Sequence, residues 1–224
     1  MKQEIVSLVA FLSTTFNSCP TYLSPVAGNL LAEKPAAVQV LAQQSLKLTN
    51  RDDSQFVNQV FVDNILLALA YLKGRQAGRQ VDWNQIRQPT TISFILNPGE
   101  VFAFHNNVLP EFKDQVVKTM NSSFVADEGY RSSGFMVGDG VCHLASLINW
   151  TATEAGLKVM AKVDHNFRLI PDIPKQYGTS IRYSQTGNNS QNQNLYLTNN
   201  FDYRIEFKFK AEKDSLTLQI IKRD

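Results

Sequence analysis

The chain has 224 residues, of which 43% are hydrophobic and 19% charged, and its formal net charge is +2. This composition suits one large or two small globular domains, and the small net charge gives no electrostatic basis for binding nucleic acid. Three histidines and two cysteines are too few for a Cys/His metal cage, so the sequence predicts no metal and no cofactor. It contains no run of about 18 apolar residues, so we expect no membrane-spanning segment.

The first 90 residues are predicted to be a helical N-terminal region. Residues 5–16 are apolar and similar to a weak or trimmed signal segment, but we interpret them as a first helix. Residues 36–48 carry apolar side chains at roughly helical spacing. Residues 56–72 have the clearest apolar stripe in the chain, and Gly74 is placed to end that helix.

After residue 90 the pattern changes to short strands and one further strong helix. Residues 92–96 are β-branched and aromatic and are followed by a turn signal. Residues 110–120 are predicted as a helix because proline stands at the start. Residues 141–155 have an apolar stripe at helical spacing, and Gly156 follows as a cap.

The last third of the chain is predicted to be β-structure. Residues 157–163 alternate between apolar and polar side chains, and residues 181–183 form a weaker strand. Residues 203–209 and 216–220 alternate in the same way on either side of a turn, which predicts an antiparallel hairpin. We therefore expect an α+β fold, in which a helical N-terminal part accompanies a mixed, largely antiparallel sheet packed on a central helix that bears Cys142.

Several short segments of the chain, in order, resemble the VanW-like family. They are similar to its PGE-x-FSFN, GY, GGGVCQ and HPHS segments and its DLRFRNN strand: residues 97–104 (NPGEVFAF), 128–130 (EGY), 138–143 (GDGVCH), 164–166 (DHN) and 195–200 (LYLTNN). The resemblance divides the chain into a helical region, residues 1–90, and a VanW-like domain, residues 91–224. It implies a bacterial protein located outside the cell or in the cell envelope.

Three positions depart from the family pattern. Asp139 replaces the middle glycine before the cysteine, and His143 stands where the family has glutamine. Gly178 stands where many members have an acidic residue. If that carboxylate takes part in chemistry, this chain is a binding variant of the family.

Cys142 is the candidate nucleophile. It follows Gly140 at a predicted helix N-terminus, where backbone N–H groups and the helix dipole would lower a thiol pKa and stabilise an oxyanion. His165 shares the apolar face of the preceding strand and is the candidate base. Asp172 is the nearest downstream acidic residue that could orient the imidazole.

Other residues are candidates for lining the same pocket. They share a position in or beside the family segments: Gly140, His143, Tyr130 and Glu100. A lone cysteine is also often a small buried hydrophobe, and Cys142 could instead form a disulfide with Cys19.

Two functions from different classes follow. The first is an accessory domain of the cell envelope that binds peptidoglycan, another wall polymer or a peptide ligand. The alternative is a papain- or transglutaminase-like amide hydrolase or acyltransferase that uses Cys142 and His165, an analogy of chain order only. The missing acidic residue favours the first.

Overall fold

The computed structural model describes residues 38–134, 136–184 and 190–224. Residues Ala37–Asp224 form one compact unit of helices and two four-stranded sheets, which confirms the predicted α+β class. The predicted helix at residues 5–16 and Cys19 lie outside the described residues.

The described part of the chain contains eight strands and three α-helices. The strands are β1 (Val40–Lys47), β2 (Thr90–Leu96), β3 (Val101–Ala103), β4 (Val116–Lys118), β5 (Lys158–Ala161), β6 (Leu195–Thr198), β7 (Arg204–Ala211) and β8 (Ser215–Arg223). The helices are α1 (Gln55–Lys73), α2 (Trp83–Ile86) and α3 (Val141–Glu154).

The first sheet has the strand order β1-β8-β7-β2 and is antiparallel throughout. Its β7–β8 pair is the predicted hairpin, and alternate side chains such as Phe207 and Leu218 are fully buried. The second sheet has the order β4-β3-β6-β5, with a parallel β3–β4 pair and antiparallel neighbours elsewhere. The sheet structure is therefore mixed and largely antiparallel, but it is divided between two sheets.

The helices α1 and α3 lie where the apolar stripes predicted them. Helix α1 begins after Ser54, whose side chain accepts a hydrogen bond from the backbone of Val57, and ends at Gly74 in the left-handed conformation. By length and hydropathy α1 could cross a membrane, but 67% of its most apolar window is buried inside this fold. Helix α3 packs on β1 and β8 of the first sheet and on β5 and β6 of the second. Helix α3, which carries Cys142, thus contacts both sheets.

Three predictions of secondary structure are wrong. Residues 36–48 were expected to be helical, but β1 pairs with β8, and this pairing places Leu46 in the core. Residues 110–120 form only a 3-10 turn at Pro110–Phe112, because the following residues pair with β3 as β4. Residues 181–183 do not form a strand, and the backbone N–H and carbonyl of Ile181 hydrogen-bond with the Cys142 side chain instead.

Candidate functional site

Two adjoining cavities open at the N-terminal end of α3. The smaller has a volume of about 250 Å³ and the larger about 750 Å³. Four residues line both: Met136, Gly138, Cys142 and Phe167. Because they share these residues, we refer to the two adjoining cavities together as the groove, and Cys142 belongs to their shared wall.

Helix α1 fixes the loop that leads into α3. Gly140 precedes α3 with a φ of 102°, and a Cβ atom there would lie 2.8 Å from the carbonyl oxygen of Phe61 in α1. Asn64 of α1 donates to the carbonyl of Asp139 at 2.8 Å and accepts from the backbone N–H of Arg131 at 2.9 Å. Only glycine fits this close approach. Gly140 was predicted to line the pocket, and its lack of a side chain also allows α1 and α3 to contact each other.

Cys142 is a free cysteine, and its thiol forms hydrogen bonds with the backbone of Ile181. Its Sγ–H donates to the carbonyl of Ile181 at 3.7 Å, and the N–H of Ile181 donates back to Sγ at 3.4 Å. Burial raises the pKa of the Cys142 thiol, and the nearby Asp139 carboxylate adds to this effect. This direction is opposite to the lowered pKa expected for a thiol at the helix N-terminus, and its largest cause is burial.

His165 lines the smaller cavity together with Cys142. Its Nδ1 lies 2.8 Å from the carbonyl of Arg168, so Nδ1 carries the proton and Nε2 is left as an acceptor. Burial lowers the pKa of His165, which keeps the ring neutral near pH 7. A backbone carbonyl thus holds the imidazole in the tautomer that a general base requires.

Asp172 does not contact His165 in this arrangement. Its carboxylate accepts from the backbone N–H of Lys47 at 3.0 Å, from the Asn50 side chain, and from Arg51 at 3.4 Å. Arg51 is fully buried, and burial lowers its pKa to about 10. Asp172 was predicted to orient the His165 imidazole, but its carboxylate binds Arg51 instead.

Arg51 was not predicted from the sequence. It lies in the connection between β1 and α1 and donates to the carbonyls of Lys47 and Pro171. These bonds join the connection to a loop 120 residues further along the chain. No local motif marks such a position, so only the folded chain brings Arg51 to the cavity.

The remaining candidate residues lie at the smaller cavity, in the core or at the surface. Gly140 and His143 line the smaller cavity. Tyr130 is buried elsewhere, where its hydroxyl accepts from Ser122. Glu100 accepts from the backbone and side chain of Asn97 in a surface turn. Neither Tyr130 nor Glu100 lines the groove.

Exposed apolar side chains cluster around the groove. Among the described residues, ten large hydrophobic side chains are exposed, and half of them line the two cavities: Val125, Met136, Val137, Phe167 and Leu169. Phe167 is 75% exposed and lies with its ring centroid 4.0 Å from that of His165. A clustered apolar surface beside a groove is typical of a ligand-binding site.

Comparisons with known proteins gave one match. A family model described as VanW like protein matches residues 87–221, a range that includes α3, Cys142 and His165. No curated protein and no solved structure matches the chain. In the part of the chain that the structure describes, no group of three or more His, Cys, Asp or Glu side chains is placed to hold a metal ion.

Proposed function

The chain belongs to the VanW-like family, and we propose that it binds peptidoglycan or another wall polymer in the groove at Cys142. Membership of this family suggests a domain associated with the cell envelope. The observation that carries the proposal is the set of exposed apolar side chains beside the two cavities. Half of the large hydrophobic side chains that are exposed among the described residues lie along this one groove. Two adjoining cavities along one groove suit an extended polymer segment.

The polar groups of the groove suit the chemistry of wall peptides. Arg51 and Arg168 line the smaller cavity with the neutral rings of His143 and His165, and Asp139 is the acidic side chain in its lining. Peptide segments of the wall present amides, carboxylates and short aliphatic groups. Apolar walls with a few fixed polar groups can bind such a segment and set its orientation.

Co-sedimentation with purified peptidoglycan tests the binding. We expect Phe167→Ser to weaken binding about tenfold, because large exposed aromatic side chains often dominate an interface. Phe56→Ser is the matched control, since Phe56 is 63% exposed on α1 but does not line the groove. Equal losses in both variants, or wild-type protein that does not sediment with the wall material, would contradict the proposal.

A second candidate function is acyl transfer at Cys142. It is favoured by the placement of Cys142 and His165 in one cavity, with Nε2 of His165 free to accept a proton. In that reaction the thiol proton passes to His165 while Sγ bonds to an amide carbonyl carbon. The amine then leaves with the proton, and water or a second amine releases the acyl group from the thioester. The raised pKa of the Cys142 thiol opposes this reaction.

Thiol alkylation separates the two candidates. Because burial raises the Cys142 pKa, we expect iodoacetamide to label Cys142 slowly at pH 6 to 7 and faster only as the pH rises above about 8.5. Peptide mapping after alkylation reports Cys142 and Cys19 individually. Fast labelling of Cys142 at pH 6 to 7 that His165→Ala slows would instead support acyl transfer.

A further inference from the structure

We propose that the smaller cavity is a subsite for the C-terminal carboxylate of a peptide, which the His143 ring holds. This inference rests on the proposed function, since it names the ligand group that the groove recognises. It also concerns a residue that distinguishes this chain, because His143 stands where the family pattern has glutamine.

The first support is a pair of buried polar atoms that have no hydrogen-bond partner. Nδ1 of His143 and Nε of Arg51 are both buried and unpaired within the described residues. His143 lines the smaller cavity and is 7% exposed, whereas the Arg51 side chain has no exposed surface. An unpaired buried polar group is costly, so the unpaired nitrogen of a histidine that lines a cavity indicates a place for a ligand. Rotation of the His143 ring about its Cβ–Cγ bond can present either nitrogen to that ligand.

The second support is the charge around His143. Three cationic or titratable neighbours act on its ring, Arg51, His165 and Arg168, and after burial they are the further causes of its lowered pKa. The Asp139 carboxylate, which also lines the cavity, is held by the backbone N–H and hydroxyl of Ser133. The α3 N-terminus adds partial positive charge. A carboxylate would therefore be attracted to this cavity.

The third support identifies the carboxylate as part of a peptide. The ring of Phe61 lies 5.0 Å from that of His143, and Leu169 and Phe167 complete an apolar wall. A free inorganic anion makes no use of such a wall, whereas the aliphatic side chain next to a peptide terminus would bury against it. The groove continues past Cys142 into the larger cavity, which leaves room for the rest of the peptide.

The test compares N-acetyl-dialanine that has a free carboxylate with the same peptide amidated, in L,L and D,D forms, by calorimetric titration. We expect at least one stereoisomer of the acid to bind about tenfold more tightly than its amide, as a charge-assisted hydrogen bond predicts. We also expect the acid to bind more tightly at pH 5.5 than at pH 7.5, because a bound carboxylate favours the protonated ring. Sodium acetate should displace the peptide only weakly.

Two variants assign the effect to His143. His143→Gln introduces the family residue, which does not titrate, and should remove most of the pH dependence while thermal melting remains cooperative. His105→Gln is the control, because His105 is another buried histidine with an unpaired Nδ1 but does not line either cavity. If His143→Gln does not fold, NMR titration of the wild-type His143 ring decides instead, with a higher pKa expected when the acid peptide is bound.

Several results would overturn the subsite. Equal affinity for acid and amide, displacement by acetate as strong as by the peptide, or an unchanged pH dependence in folded His143→Gln each contradict it. If peptidoglycan still co-sediments with the protein in those cases, the proposed function stands while the subsite fails. A preference for the acid peptide without peptidoglycan binding would support the subsite and contradict the proposed function.

Discussion

Gly140 shows how a single residue sets the geometry of the groove. It combines a φ of 102° with a backbone so close to α1 that a Cβ atom would lie 2.8 Å from the Phe61 carbonyl oxygen. Gly74 has a similar φ of 110° but has no atom within 4 Å of the corresponding Cβ position. An alanine at Gly74 would therefore cause backbone strain alone, whereas an alanine at Gly140 would cause both backbone strain and a steric clash.

We expect Gly140→Ala to lower the free energy of unfolding by about 3 kcal/mol, because strain and clash combine. Gly74→Ala should cost only about 1 kcal/mol, which is the strain alone. Urea denaturation of the two variants gives the comparison. A Gly140→Ala variant as stable as Gly74→Ala would show that α1 and α3 do not approach as closely as the structure places them.

At the scale of elements, the sequence predicted those whose pattern is local. Helices α1 and α3, strand β2 and the β7–β8 hairpin each repeat one periodicity over enough residues to identify it. Strand β1 was mistaken for a helix because its Ala, Leu and Gln residues favour helices, while its strand conformation depends on pairing with β8, more than 160 residues away. Strand β4 has only three residues, and its pairing with β3 overrode the helix signal of Pro110.

Asn64 is the polar link between α1 and the loop that leads into α3. Its side chain is fully buried and bonds to the backbone of Arg131 and Asp139. Asn64→Ala should lower the free energy of unfolding by about 2 to 4 kcal/mol, since it leaves several buried backbone groups unpaired. Asn97→Ala, at an exposed turn, should cost less than about 0.5 kcal/mol.

Hydrogen exchange gives the local readout for Asn64→Ala. The amide of Arg131 donates to Asn64 in the wild type, so its exchange should become faster in the variant. Protection at β7 and β8 should change only in proportion to global stability. If the Arg131 amide stays as protected as in the wild type, the loop is held by other contacts and Asn64 is not the link.

At the scale of the whole molecule, the groove combines residues that were predictable with others that were not. Cys142, His143 and His165 lie in contiguous family-like segments, so the sequence could identify them. Arg51 and Phe167 belong to loops that lie far apart in the sequence. Their position at the cavity depends on the complete fold. The thiol pKa was also beyond local reasoning, because its direction depends on how deeply the folded chain buries Cys142.

The buried histidines predict how the stability of the whole protein depends on pH. Burial lowers the pKa of His105 to about 4, and it also lowers the pKa values of His143 and His165 below 6.5. Between pH 6.5 and about 4 the unfolded chain therefore binds more protons than the folded chain, so the free energy of unfolding falls as the pH falls. For His105 alone the difference between the two pKa values corresponds to about 3 kcal/mol.

Urea denaturation at a series of pH values from 7.5 to 4 measures this dependence. In His105→Gln, the loss of unfolding free energy between pH 7.5 and 4 should be smaller than in the wild type by about 3 kcal/mol, which is the contribution of His105. The contributions of His143 and His165 should remain. The variant and the wild type are compared by the slope of the free energy of unfolding against pH. Absolute stabilities are not compared, because the substitution also removes the hydrogen bond between His105 Nε2 and the Gln193 carbonyl.

Asp52 does not interfere with this measurement. A hydrogen bond from Arg168 lowers the pKa of Asp52, so the stabilising contribution of Asp52 is lost only below the ordinary aspartate pKa of 3.8, which is outside the range of pH 7.5 to 4. Constant stability between pH 7 and 5 would mean that the three histidines are solvated in solution, which would also remove the buried His143 on which the carboxylate subsite depends.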